Sequence, residues 1–240
     1  MHLETARLST LAERIEWVRQ TIANAARRAG RNPDDVTLVA VSKTVSAEQI
    51  LAATELGIRH FGENRVQEAE KKIIALADRL PSDVTWHLVG HLQSNKARTA
   101  MAIFAMIESV DSLRLATVLS RLAVERGTPA SILLEVNVAG EASKFGFTPT
   151  ALPNVLPAIL SLPMLEVRGL MTVAPAADNP EEVRPVFRHL RELRNALNTS
   201  LPNVHLRELS MGMTNDFPVA IEEGATIVRV GRAIFGERSA

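Results

Sequence analysis

The 240-residue chain contains no cysteine and no tyrosine. Without cysteine there is no disulfide framework, no thiolate nucleophile and no thiolate metal site. Without tyrosine, any mechanism that needs a phenol as acid or base is closed. Charge of one sign is also lacking: 27 Lys and Arg balance 27 Asp and Glu, which gives no electrostatic case for nucleic acid or an anionic membrane. No stretch approaches the roughly 20 uninterrupted apolar residues of a membrane span. The charged, amphipathic start MHLETARLSTLAERIEWVRQ has no apolar core of the signal type. The expectation is a cytoplasmic protein with no nucleic-acid or membrane partner. With 46% apolar residues, the chain is long enough to bury the core of one barrel-sized domain.

The first segment reads as a helix. Leu8, Leu11, Ile15, Val18, Ile22, Ala25 and Ala29 step by three and four, laying one apolar stripe that Gly30 and Pro33 terminate. Such a stripe packs on its own domain or forms a coiled-coil seam with a partner. Beyond Pro33, short β-rich runs at 36–41, 59–61, 85–89, 105–110, 132–138, 167–173, 206–210 and 227–230 alternate with helical stretches at 47–56, 64–80, 95–103, 113–126, 149–160, 180–201 and 217–223. Pro149, Pro180 and Pro218 suit first-turn positions. Strand–helix alternation predicts a parallel sheet flanked by helices, and eight strands at this length predict a single (β/α)8 TIM barrel over 1–240, with 1–30 as an extra N-terminal helix packed on it. An open doubly wound sheet is the alternative. It is weakened because no G-x-G-x-x-G follows the first strand.

In such a barrel, chemistry sits where the strands end. The first strand ends in Ser42-Lys43-Thr44. A lysine there either reaches for water or stands partly desolvated at the barrel mouth, where its neutral amine attacks an aldehyde. After the second strand, Asn64 suits a cap for the next helix, and Asp111 suits the same role before the 113–126 helix. His87, inside the third strand, has no H-x-x-x-H partner and reads as a hydrogen-bonded, half-buried histidine rather than a metal ligand. Lys144 falls in a polar loop and reads as solvated. The last two strands lead into SMGMTNDF and VGRAIFG, where small residues precede helix starts. That pattern makes an anion site, and barrels often bind phosphate after strands 7 and 8. A strand-1 lysine facing such a cradle would hold a phosphorylated aldehyde by both ends.

The segments AVSKT, HFGENRVQEA, WHLVGHLQSNKAR, NVAGEASKFGF, VRGLMTVAP, LSMGMTNDFPVAI and VRVGRAIFGER, in this order, resemble the pyridoxal phosphate homeostasis (YggS/PROSC) family. The resemblance runs from about residue 36 to the end. It implies a barrel that binds pyridoxal 5′-phosphate (PLP), similar to the N-terminal domain of alanine racemase and the fold-type III PLP enzymes. It further implies that Lys43 carries PLP as a Schiff base, that Arg229 faces the pyridine nitrogen, and that Ser210, Gly231 and the backbone of Arg232 hold phosphate. Asn64 and Met211 would line the cofactor. A guanidinium at the ring nitrogen keeps that nitrogen unprotonated and weakens the ring as an electron sink. The family commonly has tyrosine where this chain has Arg65 and often proline where it has His91, departures that concern the rim of the site.

The resemblance implies a PLP carrier and regulator without established turnover, a monomer, with PLP-dependent apo-enzymes as recipients and no metal. An amino-acid racemase or other weak PLP enzyme is the alternative. Racemisation of the alanine racemase kind uses a tyrosine as second base, and this chain has none; His87 or His91 would have to replace it. A third possibility is protein interaction through the N-terminal stripe, with PLP as a ligand signal.

Overall fold

The computed structural model describes residues 10–141, 143–201 and 204–236. Eight strands follow one another: β1 Thr37–Val41, β2 His60–Glu63, β3 Thr85–Leu88, β4 Met106–Val110, β5 Ala130–Glu135, β6 Leu165–Met171, β7 Glu208–Ser210 and β8 Ile227–Val230. Each pairs in parallel with the next and β8 returns to β1, which closes the barrel. The expected (β/α)8 barrel is present and the open-sheet alternative is excluded. The helices are α1 Leu11–Arg28, α2 Ala47–Glu55, α3 Val66–Leu76, α4 Ala97–Ile103, α5 Leu113–Arg126, α6 Leu152–Leu160, α7 Arg184–Ser200, α8 Phe217–Glu222 and α9 Arg232–Phe235. No helix among the described residues is long and apolar enough to cross a membrane.

The strands are short apolar runs because both their faces are covered. Alternate side chains point inward, and Val39, Leu133, Met171 and Ile227 form an apolar plug inside the barrel. The outward set, including Ala40, Phe61, Leu134 and Val228, joins the larger core beneath the helices. Above the plug the interior turns polar, with His87, Glu108, Ser210 and Arg229 all buried.

Helix α1 starts at a capping box: Thr10 accepts from the Glu13 N–H, and the Glu13 carboxylate accepts from the Thr10 N–H. Its stripe residues Ile15, Val18 and Ile22 are at most 5% exposed. The helix lies across α8 and α9, with Trp17 edge-on to Phe217 at 6.3 Å and the Arg14 Nε–H donating to the Ile234 carbonyl at 2.6 Å. This part of the stripe is therefore spent within the chain rather than left for a partner. Leu8 and the other residues of 1–9 lie outside the described residues.

Several boundaries differ from expectation for local reasons. β2 runs on through Gly62 and Glu63, since both are buried and pair with β3. β5 stops at Glu135, and Val136 beyond it bridges Phe147 while its N–H still donates to the Met171 carbonyl of β6. Helix α3 starts at Val66 behind Arg65, so Asn64 is not its cap. Ser112, not Asp111, caps α5, its hydroxyl accepting from the Leu115 N–H. Pro149 precedes α6, whose first-turn proline is Pro153. Pro180 opens a 3₁₀ turn at Pro180–Val183 ahead of α7, and Pro218 stands in the first turn of α8.

Candidate functional site

The C-terminal ends of the strands open into a cavity of about 760 Å³. Five of the seven expected site residues line it: Lys43 after β1, Asn64 after β2, Arg229 on β8, and Gly231 and Arg232 at the start of α9. The loops 173–177 and 213–216 complete the wall. Ser210 and Met211 do not line it; both are fully buried.

Lys43 is half-buried, and the chain on either side of it is pinned. The Ser42 N–H donates to the Gly62 carbonyl at 2.9 Å, and its hydroxyl donates to Glu63 Oε1 at 2.6 Å. The Ser42 carbonyl accepts from the Val45 N–H at 3.0 Å and from Lys72 Nζ at 2.7 Å. Lys72 also pairs with Glu63 at 2.7 Å. Burial pushes the Glu63 pKa up, against the pull of the Lys72 and Ser42 hydrogen bonds. On the other side of Lys43, Thr44 sits at φ +64°, a strained value for a β-branched residue.

Asn64 is placed by a close approach between loops. A Cβ on Gly90 would stand 2.4 Å from the Asn64 carbonyl oxygen and 2.8 Å from its Cα. Only glycine lets the end of β3 press this closely on the backbone after β2.

Arg229 belongs to a hydrogen-bonded chain through the barrel interior. One terminal nitrogen donates to the Ser210 hydroxyl at 2.5 Å and the other to the Thr172 carbonyl at 2.8 Å. Ser210 in turn donates to Glu108 Oε2 at 2.5 Å, and His87 Nδ1 lies 2.8 Å from Glu108 Oε1. His87 Nε2 then meets His60 Nδ1 at 3.2 Å. Burial lowers the Arg229 pKa while Glu108, Asp216 and Glu135 oppose it; the group starts so high that it stays charged at neutral pH. At Glu108, burial works upward, but His87, Arg229 and Ser210 outweigh it and hold the carboxyl below its usual range. Glu135, at the end of β5, is pushed up to about 7 by burial and by the Asp111 charge, with Arg229 opposing.

His87 is thus fully enclosed rather than half-buried, and a carboxylate does stand against it. No group of three or more His, Cys, Asp or Glu among the described residues is placed to hold a metal. His91 stacks on Phe145 at 3.7 Å and pairs with Asp111 at 3.1 Å, outside the cavity. Arg65 is exposed on α3's approach and also lies outside it. Lys144 is not simply solvated: it is 27% exposed, pairs with Glu141 at 2.6 Å and reaches the Val173 carbonyl at 3.4 Å. Sequence reading passed over Glu108, Glu135, His60 and Asp216. A carboxylate inside the buried run MIESV was the available signal for Glu108, but one of its two partners, Ser210, lies 102 residues away.

The family model of the alanine racemase N-terminal domain matches residues 13–239. A pyridoxal phosphate homeostasis protein of Aquifex aeolicus is 46% identical over 226 residues, 94% of this chain and 97% of that one. One from Pseudomonas aeruginosa is 44% identical over 231 residues, 96% of this chain and 97% of that one. The structure of PipY from Synechococcus elongatus PCC7942, with PLP bound, superposes with a TM-score of 0.83 at 42% identity, covering 95% of this chain and all of that one.

Proposed function

The chain belongs to the alanine racemase N-terminal domain family, among its pyridoxal phosphate homeostasis proteins, and from this we propose that it binds PLP in the strand-end cavity and serves PLP homeostasis as a carrier rather than an enzyme. The observation that carries the reading is that Lys43, Arg229, Gly231 and Arg232, from the ends of β1 and β8 and the start of α9, line a single cavity of about 760 Å³. That volume suits a small cofactor, a lysine amine suits its aldehyde, and a fixed guanidinium suits an acceptor such as a pyridine nitrogen.

Bound PLP supplies an aldehyde that reacts reversibly with amines. Lys43 is the attachment point, held at a pinned turn on one side of the cavity. Arg229 presents its fixed guanidinium from the barrel wall, the position for the ring nitrogen. Gly231 and Arg232, at the opening of α9, are the phosphate holders. Asn64 lines the same space. The Ser210 hydroxyl is already engaged by Glu108 and Arg229, so its part is support for Arg229.

Racemisation by two opposed bases finds little here. The chain has no tyrosine. Neither histidine considered as a replacement lines the cavity: His87 is enclosed in the barrel network, and His91 is stacked on Phe145. A carrier also needs recipients, and the proposal includes PLP-dependent apo-enzymes in the cytoplasm, met by a monomeric donor.

The test is to load the purified protein with PLP, reduce it with borohydride and locate the added mass by peptide mapping. Mass on Lys43, lost in Lys43→Ala, is expected; no adduct, or one that persists in the variant, overturns the binding reading. Rapid Lys43-dependent interconversion of amino-acid enantiomers would overturn the carrier reading.

A further inference from the structure

We infer that Glu108 is the positioning residue for Arg229, acting through Ser210 and anchored by His87, and that it thereby sets how firmly the pocket holds PLP. This rests on the cofactor reading above.

Glu108 sits on β4 on the inner face of the barrel, fully buried. Both of its oxygens are used, one by His87 Nδ1 at 2.8 Å and the other by Ser210 at 2.5 Å. A serine hydroxyl has one proton. Because Ser210 gives that proton to Glu108, it meets Arg229 with a lone pair, at 2.5 Å. The carboxylate polarises the hydroxyl and makes it a stronger acceptor for the guanidinium. The Thr172 carbonyl provides a second pin at 2.8 Å, and two pins on a planar fork fix its plane.

The interposed hydroxyl has a purpose that a direct ion pair would defeat. A carboxylate in bidentate contact would take up two of the guanidinium's five N–H groups and its charge together. One hydroxyl away, Glu108 balances the buried cation while the guanidinium still forms part of the pocket wall. Glu135 and Asp216 act on Arg229 by charge, but the hydrogen-bonded path from a carboxylate to it runs from Glu108 through Ser210.

Two variants separate this from a merely structural role. Glu108→Gln keeps the shape but removes the charge, and its amide must turn a donor toward either Ser210 or His87. Ser210→Ala removes only the relay. Both are expected to weaken PLP binding at least about tenfold and to shift the absorption maximum of the bound chromophore, which lost stability alone does not move. In the cofactor-free protein, ¹⁵N NMR of the His87 ring should show a proton on Nδ1 that Glu108→Gln alters and Lys43→Ala leaves alone. Wild-type affinity and absorption in both variants would overturn the inference while leaving the cofactor reading standing. Should Glu108→Gln fail to fold, Ser210→Ala decides. A wild-type protein that takes up no PLP would overturn the cofactor reading, and this inference with it.

Discussion

The Thr44 N–H donates to Glu68 Oε1 at 2.7 Å, which ties the residue after Lys43 to helix α3. That bond holds a β-branched residue at φ +64°, a conformation costing about 1–2 kcal/mol outside glycine. Glu68→Ala is expected to lower stability by about 1–2 kcal/mol and to slow attachment of PLP to Lys43, followed as the rise of the chromophore after mixing. Thr44→Gly should keep or slightly raise the melting temperature, because glycine adopts this conformation without strain. Thr44→Ile should lower it. Equal melting temperatures for the two Thr44 variants would show that the turn stores no strain.

Gly90→Ala should act on Asn64 without touching the cavity itself. The added methyl group meets the Asn64 backbone at 2.4 Å and 2.8 Å, and backbone cannot rotate away as a long side chain would. A cost of about 1–3 kcal/mol is expected from the overpacking, with PLP affinity falling as Asn64 is displaced. Chemical denaturation and a PLP titration check the two effects separately. Unchanged affinity in the Gly90→Ala variant would show that Asn64 contributes nothing to binding.

Glu135 gives stability a pH dependence of defined sign. Its pKa in the folded protein is about 7, against an ordinary 4.5. Folding therefore takes up a proton between these values, and stability falls as pH rises through that window. Glu135→Gln should melt like the wild type near pH 4 and above it at pH 8, by the equivalent of about 1–3 kcal/mol once the partial exposure of the group is allowed for. Parallel pH–melting curves for the two cofactor-free proteins would refute the shifted titration.

The barrel was legible because parallel strands covered on both faces read as unbroken apolar runs, as in VTLVAV and SILLE. Strand ends were less so. Gly62-Glu63 looks like the start of a turn, yet Glu63 is buried because Lys72, nine residues on, neutralises it. At the cavity, Lys43 and the Gly231-Arg232 pair stand at strand ends, where sequence order alone places them together. The Glu108–Ser210 contact joins β4 to β7 across the barrel interior, and no local pattern records it. Asn64 and Asp111 have the chemistry of helix caps, but α3 starts without a side-chain cap and Ser112 caps α5; local preference was correct about the residue type and wrong about the role.

The Glu63–Lys72 pair tests whether the support beneath Lys43 is a matter of charge or of shape. Glu63 is wholly buried and the Lys72 side chain is 10% exposed. Glu63 Oε2 has no hydrogen-bond partner among the described residues, so Lys72 and Ser42, both on Oε1, carry the compensation for a desolvated carboxylate. Removing one member of such a pair strands the other. Lys72→Met should therefore cost about 3–5 kcal/mol, whereas Glu63→Gln with Lys72→Met should recover much of it. The double variant still lacks the Lys72 bond to the Ser42 carbonyl. Its stability should thus return further than its rate of PLP attachment does, with unfolding curves and chromophore formation measured on the wild type, the Glu63→Gln and Lys72→Met single variants and the double variant. Additive stability losses would mean that the two side chains do not compensate one another. Full recovery of both quantities would mean that charge balance alone holds Lys43 in place.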